Sequence, residues 1–370
     1  MRVLFIGADS FFYHGVKRAF DRLDISYDVF EHIFINLEHD DMFCEILHSK
    51  LKDNAYDIVL SAGFFPLAAN VCQTLGVRYY SWVYDNMRTI GDMTPILNDC
   101  CEVFFFDRIQ AEEYAMAGVH AHYLPLAADT EVFEETINAL PCTNPAEDKK
   151  IADIYFADTY FAGETDDEVY GRCSSMLEPY LRGYLEGIVN AQSKLYGAYI
   201  IPELVGDDLV EAVNTCCRKG NESSRMGRPE LEYMLADETT RRERQQIKSI
   251  LEQHYNIVSK QYDMKNSAVL ANSRINLNAT HKSIRSGITL NVLEIMACGG
   301  FVLTNYQDEI AEYLRPGEAC VMYESMEDMY EKASFYLSHG TERKRIAAAG
   351  KELIRREFTF EKRIRQMLAI

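Results

Sequence analysis

Short apolar runs alternate with amphipathic stretches along the first third of the chain. Residues 2–6 read as a buried strand, with Gly7-Ala8-Asp9-Ser10 as the turn after it. A helix follows around His14–Leu23, then a strand at Tyr27–Phe30 and a helix over residues 40–52. The pattern repeats with a strand at Asp57–Leu60, a helix at Pro66–Leu75 that stops at Gly76, and a strand at Val77–Val83. Val103–Phe106 and His122–Leu124 complete the strands, with a helix at Arg108–Met116 between them. These strands are apolar throughout, not in alternation, which marks a parallel sheet covered by helices on both faces.

Residues 139–150 carry Pro141, Asn144, Pro145 and a cluster of charges, and read as a linker. Beyond it come a strand at Ala152–Phe156, a long amphipathic helical region at Tyr170–Leu195, and helical residues 207–253 broken at Gly220 and at Gly227-Arg228-Pro229. The charged run Glu238–Gln253 reads as a solvated helix face. Arg274–Tyr306 supplies two strands around a short helix, followed by a strand at Ala319–Tyr323 and helices at Glu327–Leu337, Thr341–Glu357 and Thr359–Leu368. The expectation is two Rossmann-like α/β domains, residues 1–138 and 151–352, with residues 353–370 as a C-terminal helix that crosses back to the first. Ligands of such sheets sit at the carboxyl ends of the strands. A cleft between the two domains is the expected site.

The stretch Arg274–Tyr306 holds the most chemistry. Its helix, about Leu290 to Cys298, has only Asn291 and Glu294 as polar residues, three apart and so on one face. A helix apolar all round is buried, and a carboxylate in it must find a partner. The loop before it holds Lys282 and Arg285, and Gly287-Ile288-Thr289 leads into the helix N-terminus, a setting that suits an anion. A phosphate seat followed a turn later by a ribose-binding carboxylate would make a nucleotide or nucleotide-sugar site. The same residues also fit a solvated loop, a plain turn and a structural carboxylate.

Composition narrows the function classes. The 370 residues suggest two domains, and 48% are hydrophobic, enough for two cores. A net charge of −19 argues against nucleic acid or an anionic membrane as the main partner. The ten cysteines show no CxxC spacing, so neither a zinc site nor a disulfide framework is expected. With no signal-peptide pattern and no apolar run of about 20 residues, a cytoplasmic protein without a transmembrane segment is expected. Candidates for a catalytic base lie at strand ends in the first domain: Asp9, His14 and Asp85. Each also fits a cap or turn. Phe11, Phe12, Tyr13 and Trp82-Val83-Tyr84 fit either an acceptor pocket or core packing.

Several of these runs resemble a known family. Ile275-Asn276-Leu277-Asn278, Ser283-Ile284-Arg285-Ser286-Gly287-Ile288 and Glu294-Ile295-Met296-Ala297-Cys298-Gly299-Gly300-Phe301 are similar to the C-terminal domain of CgeB-like, spore-maturation type glycosyltransferases of GT-B architecture. Tyr80-Ser81-Trp82-Val83-Tyr84-Asp85, Phe106-Asp107 and Gly183-Tyr184-Leu185-Glu186-Gly187 resemble that family elsewhere. The resemblance implies transfer of a sugar, hexosyltransferase-like, from a nucleotide-diphospho-sugar co-substrate to a glycan, protein or small-molecule acceptor. It implies no obligatory metal and no other cofactor. It assigns Glu294 to the donor ribose and the backbone of Gly287, Ile288 and Thr289 to the diphosphate. Two positions depart from the pattern: Ser286 stands where many GT-B enzymes carry an acidic residue, and Asn291 where relatives carry arginine. They keep open a non-catalytic nucleotide-sugar or glycan-binding protein of the same fold.

Overall fold

In the computed structural model, residues 1–7, 11–32, 39–84, 93–138, 152–158, 167–219, 226–261 and 267–370 are described. Contacts divide the chain into two compact units. The first comprises Met1–Thr130, Ser286–Glu294 and Leu353–Ile370, and the second Glu131–Arg285 and Ile295–Glu352. Ser286–Glu294, which the sequence reading sets in the second domain, thus groups with the first.

The first unit runs β1 (Arg2–Ile6), α1 (Phe11–Arg22), β2 (Ser26–Phe30), α2 (Asp41–Asp53), β3 (Ile58–Ala62), α3 (Pro66–Leu75), β4 (Arg78–Val83), a 3-10 turn (Thr94–Leu97), β5 (Cys101–Phe105), α4 (Arg108–Met116) and β6 (Ala121–Tyr123). The strands order as β2-β1-β3-β4-β5-β6, and every pairing is parallel. Leu4, Ile6, Val59, Val83, Val103 and Phe105 point from the strands into one core, which α2 and α3 cover with Phe43, Leu47, Ala68 and Cys72. On the sequence reading Trp82 fits either a pocket wall or the core. It is buried, edge-on to Phe12 at 4.7 Å, and so belongs to the core.

The second unit begins with α5 (Thr130–Asn138), which leaves the first at Thr130, and β7 (Ile154–Asp158). It continues through α6 (Asp167–Met176), α7 (Pro179–Gln192), α8 (Ile201–Leu204), α9 (Asp207–Lys219), α10 (Arg228–Leu251), β8 (Ile257–Gln261), α11 (Ser267–Asn272) and β9 (Ile275–Asn278). Then come α12 (Leu290–Ala297), β10 (Val302–Asn305), α13 (Asp308–Tyr313), β11 (Val321–Tyr323), α14 (Met326–Ser338) and α15 (Gly340–Glu357); the start of α12, the end of α15 and all of α16 (Phe360–Leu368) group with the first unit. The sheet orders as β11-β10-β9-β7-β8, again all parallel. The expected long helix at Tyr170–Leu195 is two, because Pro179 starts a new helix at its first position.

Both sheets share one feature that matters for function. The first strand of each, β1 or β7, has the second strand on one side and the third on the other. Chain direction across the sheet reverses there, and crevices for ligands open outside the carboxyl ends of the strands at such points. In the second sheet that place is the end of β7 and β9, from which the loop after β9 departs.

The expected C-terminal helix does return to the first unit. α16 lies on α1, with Phe360 edge-on to Phe12 at 5.5 Å and Arg22 paired to Glu361 at 2.5 Å. Ala128 N–H donates to the Phe358 carbonyl at 2.9 Å. The approach is close because residue 15 is glycine: a methyl there would overlap the Phe360 ring. Gly15→Ala should therefore cost about 1–3 kcal/mol, and Phe360→Ala about 3–5 kcal/mol. Urea unfolding measures both, and limited proteolysis should show the C-terminal segment released first. Unchanged stability in both variants would contradict this packing.

Candidate functional site

Three loops at the carboxyl ends of β9 and β10 frame a pocket in the second unit. Its walls are Leu195–Tyr199 after α7, Thr280, Lys282, Ile284 and Arg285 after β9, and Asn305, Tyr306 and Gln307 at the end of β10. It is a shallow recess open to solvent, with a cavity volume of about 30 Å³. Each loop is fixed by buried polar side chains. The Gln192 amide donates to the Ala198 carbonyl and accepts from Ile200 N–H, both at 2.8 Å. Asn305 Oδ1 accepts from Thr280 N–H at 2.7 Å, and Gln307 donates to the Ile284 carbonyl at 3.4 Å.

The loop after β9 is held most firmly, by α10. The charged run Glu238–Gln253, expected as a solvated face, is in part buried: Glu238, Glu243 and Arg244 are enclosed, as are Asp237 and Thr240 just before and within it. Arg244 donates twice to the Ala279 carbonyl, from Nε at 3.2 Å and Nη2 at 2.6 Å. Thr240 Oγ1 accepts from Lys282 N–H at 3.0 Å. Asp237 Oδ1 lies 3.2 Å from His281 Nε2, while Tyr233 stacks on the imidazole at 4.9 Å and 7°. Glu238 pairs instead with Arg241 and Arg242, and Arg242 reaches Glu186 of α7. The charges are buried because each has a partner, and a helix read without its neighbours shows no partners.

The two sequence-predicted cations differ in setting. Lys282 Nζ lies 2.7 Å from Glu243 Oε2, with side-chain exposures of 9% and 1%, and 4.6 Å from the Tyr196 ring centre. Its charge is thus balanced by Glu243. Burial first, then the Glu243 carboxylate, holds the Tyr196 phenol well above its usual pKa, so it stays protonated. Arg285 lies over the Tyr199 ring at 4.8 Å on the pocket wall. A guanidinium in that place presents a planar fork suited to phosphate oxygens.

The turn that follows groups with the first unit. Ser286 is 3% exposed, and its N–H and Oγ–H both donate to the Asp107 carboxylate, at 3.1 and 3.0 Å. Asp107 also caps α4, accepting from Gln110 N–H at 3.1 Å. The position where an acid was expected is therefore a serine that binds an acid. Gly287 allows this approach, since a methyl there would lie 3.0 Å from the Phe106 ring and 3.1 Å from Asp107 Cα. Ile288 is buried, and the buried Thr289 hydroxyl has no hydrogen-bond partner among the described residues, so it does not cap α12. Glu294 is 1% exposed, in a helix whose residues from Val292 to Cys298 are all buried, and Asn291 is half-buried. Of the catalytic candidates, His14 is exposed on the first turn of α1. Asp9 and Asp85 lie outside the described residues. Sequence reasoning missed Tyr196, Tyr199 and the α10 face. The spacing of Tyr233, Asp237, Thr240 and Arg244 is the signal that would have found the face.

The buried pair yields a prediction. Lys282→Met should destabilise by about 3–5 kcal/mol, because it strands the Glu243 charge. Lys282→Met combined with Glu243→Leu should recover most of that loss. Urea unfolding of the single and double variants checks this, and a single-variant loss under about 1 kcal/mol would place the pair at an exposed surface.

Residues 242–369, about a third of the chain, match the family model described as glycosyl transferase-like. No curated protein matches the sequence. Among solved structures, a sucrose-phosphate synthase from Thermosynechococcus elongatus is 12% identical, with 100% of this chain and 98% of that one covered and a TM-score of 0.54. A UDP-forming α,α-trehalose-phosphate synthase from Burkholderia xenovorans is 14% identical, covering 100% and 98%, at 0.54. Anabaena HepE in complex with UDP is 10% identical, covering 100% of both chains, at 0.52. The chain has the fold of the GT-B glycosyltransferases, two parallel-sheet α/β units with a C-terminal helix that returns to the first.

Proposed function

We propose that the chain is a glycosyltransferase that takes its sugar from a nucleotide-diphospho-sugar donor. The observation that carries this reading is the pocket at the carboxyl ends of β9 and β10, walled by Arg285, Lys282 and Tyr196, Tyr199 and Tyr306. The glycosyl transferase-like match over residues 242–369 supports it, as does the UDP-glucose held by Anabaena HepE of the same fold. Glycosyl transfer leaves negative charge on the departing diphosphate. Arg285 and the start of α12, with the Gly287, Ile288 and Thr289 backbone, are the groups we assign to it, in a reaction without a required metal. Glu294 takes the ribose hydroxyls, with Asn291 beside it on the same helix face. A base for the acceptor hydroxyl comes from Asp9, His14 or Asp85. The acceptor is a glycan, a protein or a small molecule. The motifs across Ile275–Phe301 favour the CgeB-like branch and a hexose as the transferred sugar, and cysteines without a metal or disulfide spacing favour a cytoplasmic setting.

Calorimetric titration with UDP and UDP-glucose tests this reading, alongside a donor-hydrolysis assay. Arg285→Ala should weaken UDP binding by about 1.5–3 kcal/mol while changing uridine binding far less. Equal losses for both would remove Arg285 from the diphosphate. Glu294→Ala should cost UDP-glucose a similar amount, and unchanged affinity in a folded variant would remove the ribose assignment. Tight binding with no turnover across donors and acceptors would support the non-catalytic alternative, which Ser286 motivates.

A further inference from the structure

The pocket walls include nothing from α10, yet α10 fixes one of them. At about 100° per residue, Tyr233, Asp237, Thr240, Glu243 and Arg244 fall within roughly a third of the helix circumference. All five reach the same short segment, Ala279 to Lys282. Tyr233 and Asp237 hold the His281 ring, Thr240 the Lys282 N–H, Glu243 the Lys282 ammonium, and Arg244 the Ala279 carbonyl. The Thr240 hydroxyl is itself oriented, since it donates to the Ala236 carbonyl at 2.7 Å and so presents a lone pair to Lys282.

This is an expensive way to join a helix to a loop. Buried polar groups lose hydration, and apolar residues of the same volume often stabilise as well or better. What polar contacts supply is direction: each fixes a donor or acceptor to within a few tenths of an ångström. A loop held at its first carbonyl, its ring, its amide and its ammonium has one conformation. That conformation sends Lys282 and Arg285 to the pocket wall.

We propose that this face of α10 sets the geometry of the ligand pocket, with Thr240 and Arg244 as positioning residues that act through the loop. The proposal rests on the nucleotide reading above only for the identity of the ligand. Thr240→Val removes the acceptor for Lys282 N–H at nearly constant volume, and Thr240→Ser keeps it. Hydrogen exchange measured on the folded proteins should rise about tenfold or more across residues 279–285 in Thr240→Val, with the β7 strand unchanged. In the same variant UDP affinity should fall on the order of tenfold, while Thr240→Ser stays near wild type. A merely structural role for Thr240 would lower the unfolding midpoint and leave the affinity of the folded protein alone. If Thr240→Val does not fold, Arg244→Lys serves instead, since it keeps the charge and loses the two-donor fork. Unchanged exchange at 279–285, or unchanged UDP affinity against a wild type that binds, would overturn the proposal. A wild type that binds no UDP would overturn the nucleotide reading, and the exchange comparison would still decide the positioning role.

Discussion

Everything proposed for the second unit depends on the contact between the polar face of α10 and the segment Ala279–Lys282. The segment leaves the sheet where strand order reverses, the place at which α/β sheets offer a crevice. Left alone, a loop with a lysine and an arginine would sample many conformations, and ordering it on ligand binding would cost affinity. Arg244, Thr240, Glu243 and Asp237 meet that cost during folding. The charge balance is part of the device. Glu243 neutralises Lys282 inside the protein, so the wall facing a ligand carries the Arg285 fork without two adjacent cations repelling each other.

The turn after Arg285 is organised differently. Ser286 gives its N–H and hydroxyl to Asp107, and Gly287 brings the backbone against Phe106. An acidic side chain at position 286 would put a second carboxylate beside Asp107, a repulsive pair in a buried setting. Serine is thus the residue that this local geometry asks for. The departure from the common GT-B pattern is tied to Asp107 and to the start of α4, which Asp107 caps.

Much of the fold was legible in the sequence for a physical reason. Strands of a parallel sheet covered on both faces are uniformly apolar, as in Val3–Ile6 and Ile58–Leu60, and they stand out against amphipathic helices. β8 was missed because it is the edge strand of its sheet, and its Ser259, Lys260 and Gln261 lack the apolar signature of an inner strand. The α6–α7 break is written in Glu178-Pro179, but a longer amphipathic pattern masks it. Lys282 and Arg285, read in the sequence as candidate phosphate contacts, line the pocket at the ends of β9 and β10. Glu238–Gln253 is partly buried rather than a solvated face, and charge alone does not say whether water or another residue satisfies it. Buried Glu243 and an exposed glutamate look the same in sequence, and only the partner, Lys282, distinguishes them.

A nucleotide-diphospho-sugar received by the pocket at the ends of β9 and β10 should shield the loops that wall it. Hydrogen exchange with and without saturating UDP-glucose locates binding without prior choice of residues. Protection is expected in residues 195–200, 279–285 and 305–307, with the α2–α3 face of the first sheet unaffected. Protection confined to other segments, or none at saturating ligand, would contradict it.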